Sequence, residues 1–422
     1  MERNELSRRF LEVRKKSEEL CEPLETEDYV VQPVDDVSPP KWHIGHTSWF
    51  FERLILQEYE SNFKLFHDQY HYIFNSYYES LGERVLRTLR GTLSRPTVSE
   101  VMEYRKSVTE RMLKLLEKVD DDKWPDIETL TTLGINHEQQ HQELFLMDIK
   151  YIYAANPLRP VYNKDFEEIP TNEPNDKRYL LFKGGQHQIG ANGYGFAYDN
   201  EYPRHDRLIR DFALAKHPVT NGEYLELMND GGYEDHRLWL SDGWDTINTQ
   251  GWKHPLHWEK TKDGWMVMTL SGLKPVNPNE PVSHVSYYEA SAFARWAGKR
   301  LPSEDEWEFA ANQKGNSVEE GNFMDNRIYH PTGNGLPQDE DRLNSMMGDL
   351  WEWTLSAYLP YPGYEQAFGA LGEYNGKFMS NQMVLRGGCC ATPRDHIRPT
   401  YRNFFQCDKR WQFSGIRLAE DA

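Results

Sequence analysis

The stretch Leu130-Thr-Thr-Leu-Gly-Ile-Asn-His-Glu-Gln-Gln-His-Gln-Glu-Leu144 repeats apolar and histidine side chains at the spacing of an α-helix. Leu133, His137 and His141 fall on the stripe of the two terminal leucines, because residues three or four apart lie on one helix face. We therefore expect both histidines to face the interior of a helical bundle. An imidazole without a partner would be costly there, which indicates a binding role.

Three more helices are predicted upstream of this one, which begins at Pro125. Apolar residues recur at helical spacing from Leu6 to Leu20, and Ser38-Pro-Pro40 is typical of a helix start with a serine N-cap. Thr97-Val-Ser-Glu100 is a capping box that opens the third helix. With residues 77–96 as a long crossover, this pattern predicts a four-helix bundle.

The composition changes after the bundle, which we assign to residues 1–156. Residues 157–178 are rich in Pro, Asn, Asp and Glu and are predicted to be a linker. Residues 179–422 form the second predicted domain, with two short helices, long Gly-, Asn- and Trp-rich loops and several short strands. The predicted strands are Tyr179–Phe182, Phe212–Ala215 and Val384–Arg386. The predicted fold class is therefore an all-α domain followed by an α+β domain.

The overall composition excludes several classes of function. Lys and Arg total 48 against 67 Asp and Glu, a net charge of −19, which disfavours nucleic acid and anionic membranes as partners. A mean hydropathy of −0.80 and the lack of a long apolar run argue against a membrane span. Four cysteines in 422 residues are too few for a disulfide scaffold. We expect a soluble, cytoplasmic protein of open oligomeric state.

His137 and His141 are four residues apart, so their imidazoles project about 6 Å from each other and can reach one divalent metal ion. A third ligand should come from the second helix, which carries His43 and His46. We favour His46, because it is in phase with Trp42 and the other aromatic residues of the buried side. Three imidazoles without a carboxylate fit zinc or iron(II), and the spacing does not choose between them. A pair of histidines at this spacing also occurs by accident in helix cores and surfaces.

The predicted crossover contains a second cluster. Tyr77 and Tyr78 are adjacent, so both rings cannot face inward and one phenol is available as a proton donor. Arg84, Arg87 and Arg90 repeat every third residue, which suits a short helix or turn that presents guanidinium groups to a carboxylate. The simpler interpretation of the arginines is a solvated basic face.

The second half resembles the formylglycine-generating enzyme (sulfatase-modifying factor) fold, a variant of the C-type lectin fold. The resemblance rests on short strings in a fixed order, which are Phe182-Lys-Gly-Gly185, Pro218-Val-Thr-Asn221, Pro281-Val-Ser-His-Val-Ser286, Lys299-Arg-Leu-Pro-Ser-Glu304, Gly348-Asp-Leu-Trp-Glu-Trp353, Leu385-Arg-Gly-Gly388 and Gly415-Ile-Arg417. Formylglycine-generating enzymes use two cysteines a few residues apart to bind copper. Cys389 and Cys390 are adjacent and Cys407 is distant, so formylglycine generation is not expected.

The first half resembles the DinB-type bundle, whose three histidines hold a metal, through Ser38-Pro-Pro-Lys-Trp-His-Ile-Gly-His46 and His137-x-x-Gln-His-x-Glu143. A DinB-like bundle followed by this second domain is the architecture of the ergothioneine-biosynthesis sulfoxide synthases (EgtB type), which the chain resembles from end to end. The segment Asn75–Pro96 is similar to the subgroup that uses free cysteine. The resemblance implies non-haem Fe2+, O2, Nα-trimethylhistidine (hercynine) and L-cysteine, with hercynyl-cysteine sulfoxide as product.

The resemblance also implies roles for individual residues. A crossover tyrosine, Tyr78 in preference to Tyr77, would donate the proton that favours C–S bond formation over simple oxidation of cysteine. The metal ligands would be His46, His137 and His141. The substrate contacts would be Arg87 and Arg90 for the cysteine carboxylate, and Gln140, Asn403, Phe404 and Trp42 for hercynine. Trp42 is equally suited to a place in the bundle core.

Other functions fit the same features. A selenoneine-type synthase would use a selenium donor, and an ovothiol-type synthase would attack a different imidazole carbon. A zinc-dependent thiol transferase would share the bundle but would not consume O2. The lectin-like half could also be a carbohydrate- or peptide-binding module with structural histidines.

Overall fold

The structure is a computed structural model that describes residues 1–78, 80, 82–164, 179–333, 341–366 and 375–422. The described residues form two compact units, the first ending at Tyr162 and the second beginning at Asn163. Most of the predicted linker, residues 165–178, lies outside the described residues, so its boundaries stay a prediction. No helix in the described ranges has both the length and the apolar character needed to cross a membrane.

The first unit is built on four long helical segments, as the sequence predicts. Helix α1 packs against α5 and α6, and α2 packs against the same two helices. Helix α2 continues through a π-helical turn, Glu52–Leu56, into α3. The helices are α1 (Arg3–Cys21), α2 (Pro40–Phe51), α3 (Gln57–Tyr59), α4 (Tyr70–Phe74), α5 (Val98–Lys118) and α6 (Trp124–Ala155), with 3₁₀ turns at Thr26–Val30 and Arg87–Thr92.

Two details of the bundle differ from the sequence expectation. Helix α2 has Pro39 rather than Ser38 as its N-cap. The Ser38 hydroxyl instead accepts a hydrogen bond from Arg90, and the Ser38 amide donates to the Asp148 side chain. The leucines of the quoted α6 stripe, of which Leu133 is one, are only half-buried. The fully buried face of α6 lies beside them and carries polar residues such as Glu138. The predicted capping box at Thr97 is confirmed.

The centre of the bundle contains a buried ion-pair cluster, which we call the Glu138 cluster and which consists of Arg14, Arg105 and Glu138. Arg14 Nη1 donates to Glu138 Oε2 at 3.0 Å, and Arg105 Nη2 donates to Glu138 Oε1 at 2.6 Å. Ser17 also donates to Glu138, and Arg14 donates to Ser48 on α2. Burial raises the pKa of Glu138, but the two arginines and the hydrogen bonds bring it down to about 2. The cluster therefore joins all four long helices through one carboxylate.

Among its described residues, the second unit contains four small sheets, in the orders β1-β4-β12, β10-β9-β8-β11, β2-β3 and β5-β6-β7. All neighbouring strands are antiparallel except β8 and β11. The strands are β1 (Tyr179–Phe182), β2 (Gly185–Ile189), β3 (His205–Ile209), β4 (Phe212–Ala215), β5 (Trp258–Thr261), β6 (Gly264–Thr269), β7 (Gly272–Pro275), β8 (Trp351–Ala357), β9 (Gln382–Arg386), β10 (Asn403–Gln406), β11 (Ser414–Gly415) and β12 (Ala419–Asp421). All three predicted strands are confirmed.

The helices of the second unit outnumber the two that the sequence predicts. Among the described residues they are α7 (Asn221–Asn229), α8 (Ser241–Gln250), α9 (Tyr287–Trp296) and α10 (Glu304–Lys314). Rings and buried charges form the core: Trp307 donates from its indole to Glu352, which also accepts two hydrogen bonds from Arg417. Trp351 and Trp353 are buried as predicted. The expected order, a helical bundle followed by a sheet-containing α+β domain, is confirmed.

The Glu138 cluster leads to a stability prediction. Replacing Glu138 by Gln keeps the shape but leaves buried Arg14 without a countercharge and Arg105 with Glu18 alone, so the free energy of unfolding should fall by about 3–5 kcal/mol. Glu18→Gln is the matched control, because Glu18 pairs with Arg105 from a side chain that is 46% exposed and should cost about 1 kcal/mol or less. Urea unfolding measures both, and equal losses would contradict the role given to the cluster.

Candidate metal centre

Three histidines meet where α2 packs against α6, and we call them the histidine cluster: His46, His137 and His141. One ring nitrogen from each lies within 4.8 Å of the other two. His46 and His137 are buried, and His141 is half-buried. The structure thus brings together the three residues that the sequence singled out. Their role as ligands remains a prediction.

A backbone hydrogen bond sets the orientation of His46. Its Nδ1–H donates to the Phe74 carbonyl at 2.6 Å, which leaves the Nε2 lone pair directed at His137 Nε2, 3.2 Å away. Gly45 permits this arrangement, because a Cβ there would lie 2.1 Å from the Phe74 ring. The sequence did not reveal that position 45 requires a residue without a Cβ, although the glycine lies inside the Trp-His-Ile-Gly-His motif. The small residue lets α4 approach α2 and supply the carbonyl.

Burial keeps the histidine cluster uncharged. It lowers the pKa of His137 to about 3, with Glu138 acting weakly in the opposite direction. Burial likewise lowers the pKa values of His46 and His141, and the neighbouring histidines lower them further. Neutral imidazoles keep a lone pair for a metal ion, whereas imidazolium does not. The donor set therefore fits a divalent transition metal without loss of protons on binding.

A fourth histidine and a carboxylate lie directly behind the cluster. His43 Nδ1 is 2.8 Å from His141 Nδ1, and His43 Nε2 is 2.9 Å from Asp148 Oδ2. Both side chains are buried. The sequence offered His43 only as the weaker candidate ligand and did not single out Asp148. A signal existed, because Asp148 is seven residues after His141 and falls on the same side of α6.

Arg90 and Trp42 form a stacked pair against the cluster. The Arg90 guanidinium carbon lies 3.3 Å from the centre of the Trp42 ring, and that ring stacks on His46 with centroids 4.6 Å apart. Arg90 is buried and donates to the hydroxyls of Ser38 and Ser76. The interpretation of the arginines as a solvated basic face is therefore wrong for Arg90. The Trp42 indole donates to a backbone carbonyl, so its ring has a packing role whatever else it contacts.

The other predicted residues of the first unit occupy different settings. Tyr78 is buried beside Trp49, and Tyr77 is half-buried and stacked on Tyr78 with centroids 4.9 Å apart. Arg87 is exposed and donates to the Asp36 carbonyl, which fits the solvated interpretation. Gln140 is half-buried on α6, between the two helix histidines.

Two predicted substrate contacts belong to the second unit. Asn403 and Phe404 begin strand β10, where Asn403 is paired with Leu385 of β9. The Phe404 ring stacks on Tyr358 with centroids 4.0 Å apart, which gives it a packing role within that unit. The adjacent cysteines of this unit, Cys389 and its neighbour, are fully buried, unlike a solvent-accessible catalytic thiol.

Comparisons with known proteins agree with this division. Residues 9–145 match the DinB superfamily, and residues 165–422 match the sulfatase-modifying factor enzyme 1-like domain. A protein of Mycolicibacterium smegmatis named hercynine oxygenase is 30% identical over 346 residues, which cover 76% of this chain and 78% of the relative. The chain belongs to the hercynine oxygenase family. It is therefore an enzyme, and the histidine cluster lies within its DinB part.

Two further relatives carry the same name. The hercynine oxygenase of Mycolicibacterium thermoresistibile is 30% identical over 68% of this chain and 68% of its own length. That of Mycobacterium tuberculosis is 34% identical over 53% of this chain and 56% of its own length. Membership of this family, together with the histidine cluster, indicates a metal-binding enzyme.

The cluster predicts how metal binding depends on its members. The apo-protein should bind one Co2+ per chain. His137→Ala and His141→Ala should each weaken the affinity more than about 100-fold, because removing a metal ligand costs more affinity than removing a residue that only supports a ligand. Isothermal titration measures this. His236→Ala is the control, since this exposed histidine of the second unit should leave the affinity unchanged. Wild-type affinity in the cluster variants would contradict the assignment.

Proposed function

We propose that this member of the hercynine oxygenase family is a non-haem iron(II), O2-dependent sulfoxide synthase that joins L-cysteine to the imidazole C2 of hercynine. The product would be hercynyl-cysteine sulfoxide. The observation that carries the proposal is the histidine cluster, three neutral buried imidazoles with ring nitrogens within 4.8 Å, in a chain of this family. His46, His137 and His141 would hold the iron, which when bound supplies redox chemistry with O2 and lowers the pKa of a thiol ligand.

Arg90 is the residue of the first unit best suited to the cysteine carboxylate. The hydrogen bonds of its guanidinium go to two serine hydroxyls, and among the described residues its Nε has no hydrogen-bond partner. Burial and the charge of Arg87 lower the pKa of Arg90 well below its ordinary value, which means that its charge is poorly compensated. A bound carboxylate would supply the missing charge and a planar pair of acceptors. Exposed Arg87 would then contribute mainly a long-range attraction for the cysteine carboxylate.

Tyr77 and Tyr78 are the candidates for the proton donor. Burial raises the pKa of Tyr77, so its phenol holds the proton at neutral pH and releases it only to a strong base. Arg90 opposes this shift, which places a positive charge where it would stabilise phenolate after the proton has left. The proposal retains both tyrosines, with Gln140, Trp42, Asn403 and Phe404 as hercynine contacts. It also includes a cytoplasmic setting, which the four free cysteines support.

A product assay tests the proposed reaction. Apo-protein loaded with Fe2+ under argon is mixed with aerated hercynine and L-cysteine, and O2 uptake and product mass are recorded. We expect O2 consumption only with both substrates present, and a product of the mass of hercynyl-cysteine sulfoxide. Zn2+-loaded protein is the control and should consume no O2. Thiol transfer by the zinc form, or turnover only with γ-glutamylcysteine or a selenium donor, would contradict the proposal.

The crossover tyrosines predict a change in product ratio. Replacing the proton donor by Phe should raise cysteine sulfinate relative to the sulfoxide. Without the donated proton, simple oxidation of the thiol would be favoured over C–S bond formation. Tyr77→Phe and Tyr78→Phe are compared by mass spectrometry. Tyr72→Phe is the control, because this tyrosine of α4 is 38% exposed and should leave the ratio unchanged. An unchanged ratio in both crossover variants would remove tyrosine from the reaction.

A further inference from the structure

The hydrogen bonds behind the histidine cluster have a direction. Asp148 Oδ2 accepts from the Ser38 amide at 2.8 Å and lies 2.9 Å from His43 Nε2. A carboxylate only accepts, so the hydrogen between them belongs to His43 Nε2.

The proton on one nitrogen of His43 decides the role of the other. In the neutral ring Nδ1 is then an acceptor, and the atom 2.8 Å from it is His141 Nδ1. The hydrogen in that contact therefore belongs to His141 Nδ1. His141 is left with its lone pair on Nε2, the nitrogen on the far side of the ring from His43.

We propose that Asp148 and His43 are positioning residues for the metal centre, acting as a relay Asp148–His43–His141 that fixes the tautomer and the ring orientation of His141. The inference rests on the proposed metal site and adds two residues to it. A ligand histidine commonly donates its second ring N–H to a carboxylate or carbonyl, and here an imidazole stands between the ligand and the carboxylate. The arrangement passes the influence of a negative charge to the metal without placing a carboxylate beside it.

The other two histidines of the cluster differ from His141 in their support. The Nδ1–H of His46 donates to a backbone carbonyl, and burial fixes the His137 ring between α2 and α6. His141 is the half-buried member, so packing alone holds it less firmly. The relay therefore supports His141, the proposed ligand that packing holds least firmly.

Co2+ binding to the apo-protein tests the relay without reference to turnover. His43→Phe fills a similar volume but cannot accept from His141, so the affinity should fall about 10–100-fold and the visible Co2+ spectrum should change. His43→Gln can accept from His141 and donate to Asp148, and it should stay within about three-fold of wild type. Asp148→Asn no longer forces the proton onto His43 Nε2, and its affinity should fall about ten-fold.

Ile55→Val is the matched control for packing loss on the same helical segment. Ile55 is fully buried and follows His46, the cluster member on this segment, by nine residues, so the variant should bind Co2+ as wild type does. Circular dichroism shows whether each variant folds, and Asp148→Asn decides the question if His43→Phe does not. Equal affinity in His43→Phe, Asp148→Asn and wild type would overturn the relay, as would equal losses in His43→Phe and His43→Gln. A wild-type protein that binds no Co2+ would instead contradict the proposed metal site.

Discussion

The buried Glu138 cluster is the constraint on which the candidate metal centre depends. A carboxylate held by two guanidinium groups from α1 and α5 fixes the rotation of α6 about its own axis, because any turn would leave the charges of Glu138 and Arg14 buried without partners. Each residue of an α-helix advances about 100°, so His137 lies about 100° to one side of Glu138 and His141 about 60° to the same side. Holding the carboxylate inward therefore turns both histidines towards α2.

Much of this arrangement could be read from the sequence, because it depends on local periodicity. Helical spacing located the four long segments, the capping box at Thr97 marked the start of α5, and the four-residue separation placed His137 beside His141. The choice of His46 over His43 as a ligand also rested on phase, and it stays a prediction. The inferences about the helices succeed since each concerns residues within a few turns of one helix, where geometry is nearly independent of the rest of the fold.

The remaining features depend on partners far apart in the chain. The local sequence pattern does not indicate that Arg105 and Glu138 are in contact. It also does not indicate that a charged residue rather than Leu133 occupies the centre of the bundle. The Ser38 hydroxyl was expected to cap α2, but it accepts from Arg90, 52 residues away, and the Ser38 amide donates to a carboxylate 110 residues away. A polar side chain in a helical stripe is compatible with a solvated edge, a ligand or a buried ion pair. Only the tertiary partner distinguishes them.

The distribution of charge around the histidine cluster connects these observations to a reaction. Three neutral ligands leave the full charge of a divalent metal uncompensated, and buried Arg90 adds a further positive charge close by. The charge of Asp148 is already divided between His43 and the Ser38 amide. A substrate with both a carboxylate and an ionisable thiol would supply the two negative charges that such a site requires. If the histidine cluster holds a divalent metal as proposed, the electrostatics favour a thiol that carries a carboxylate over one without it, because only the former would compensate Arg90 and the metal together.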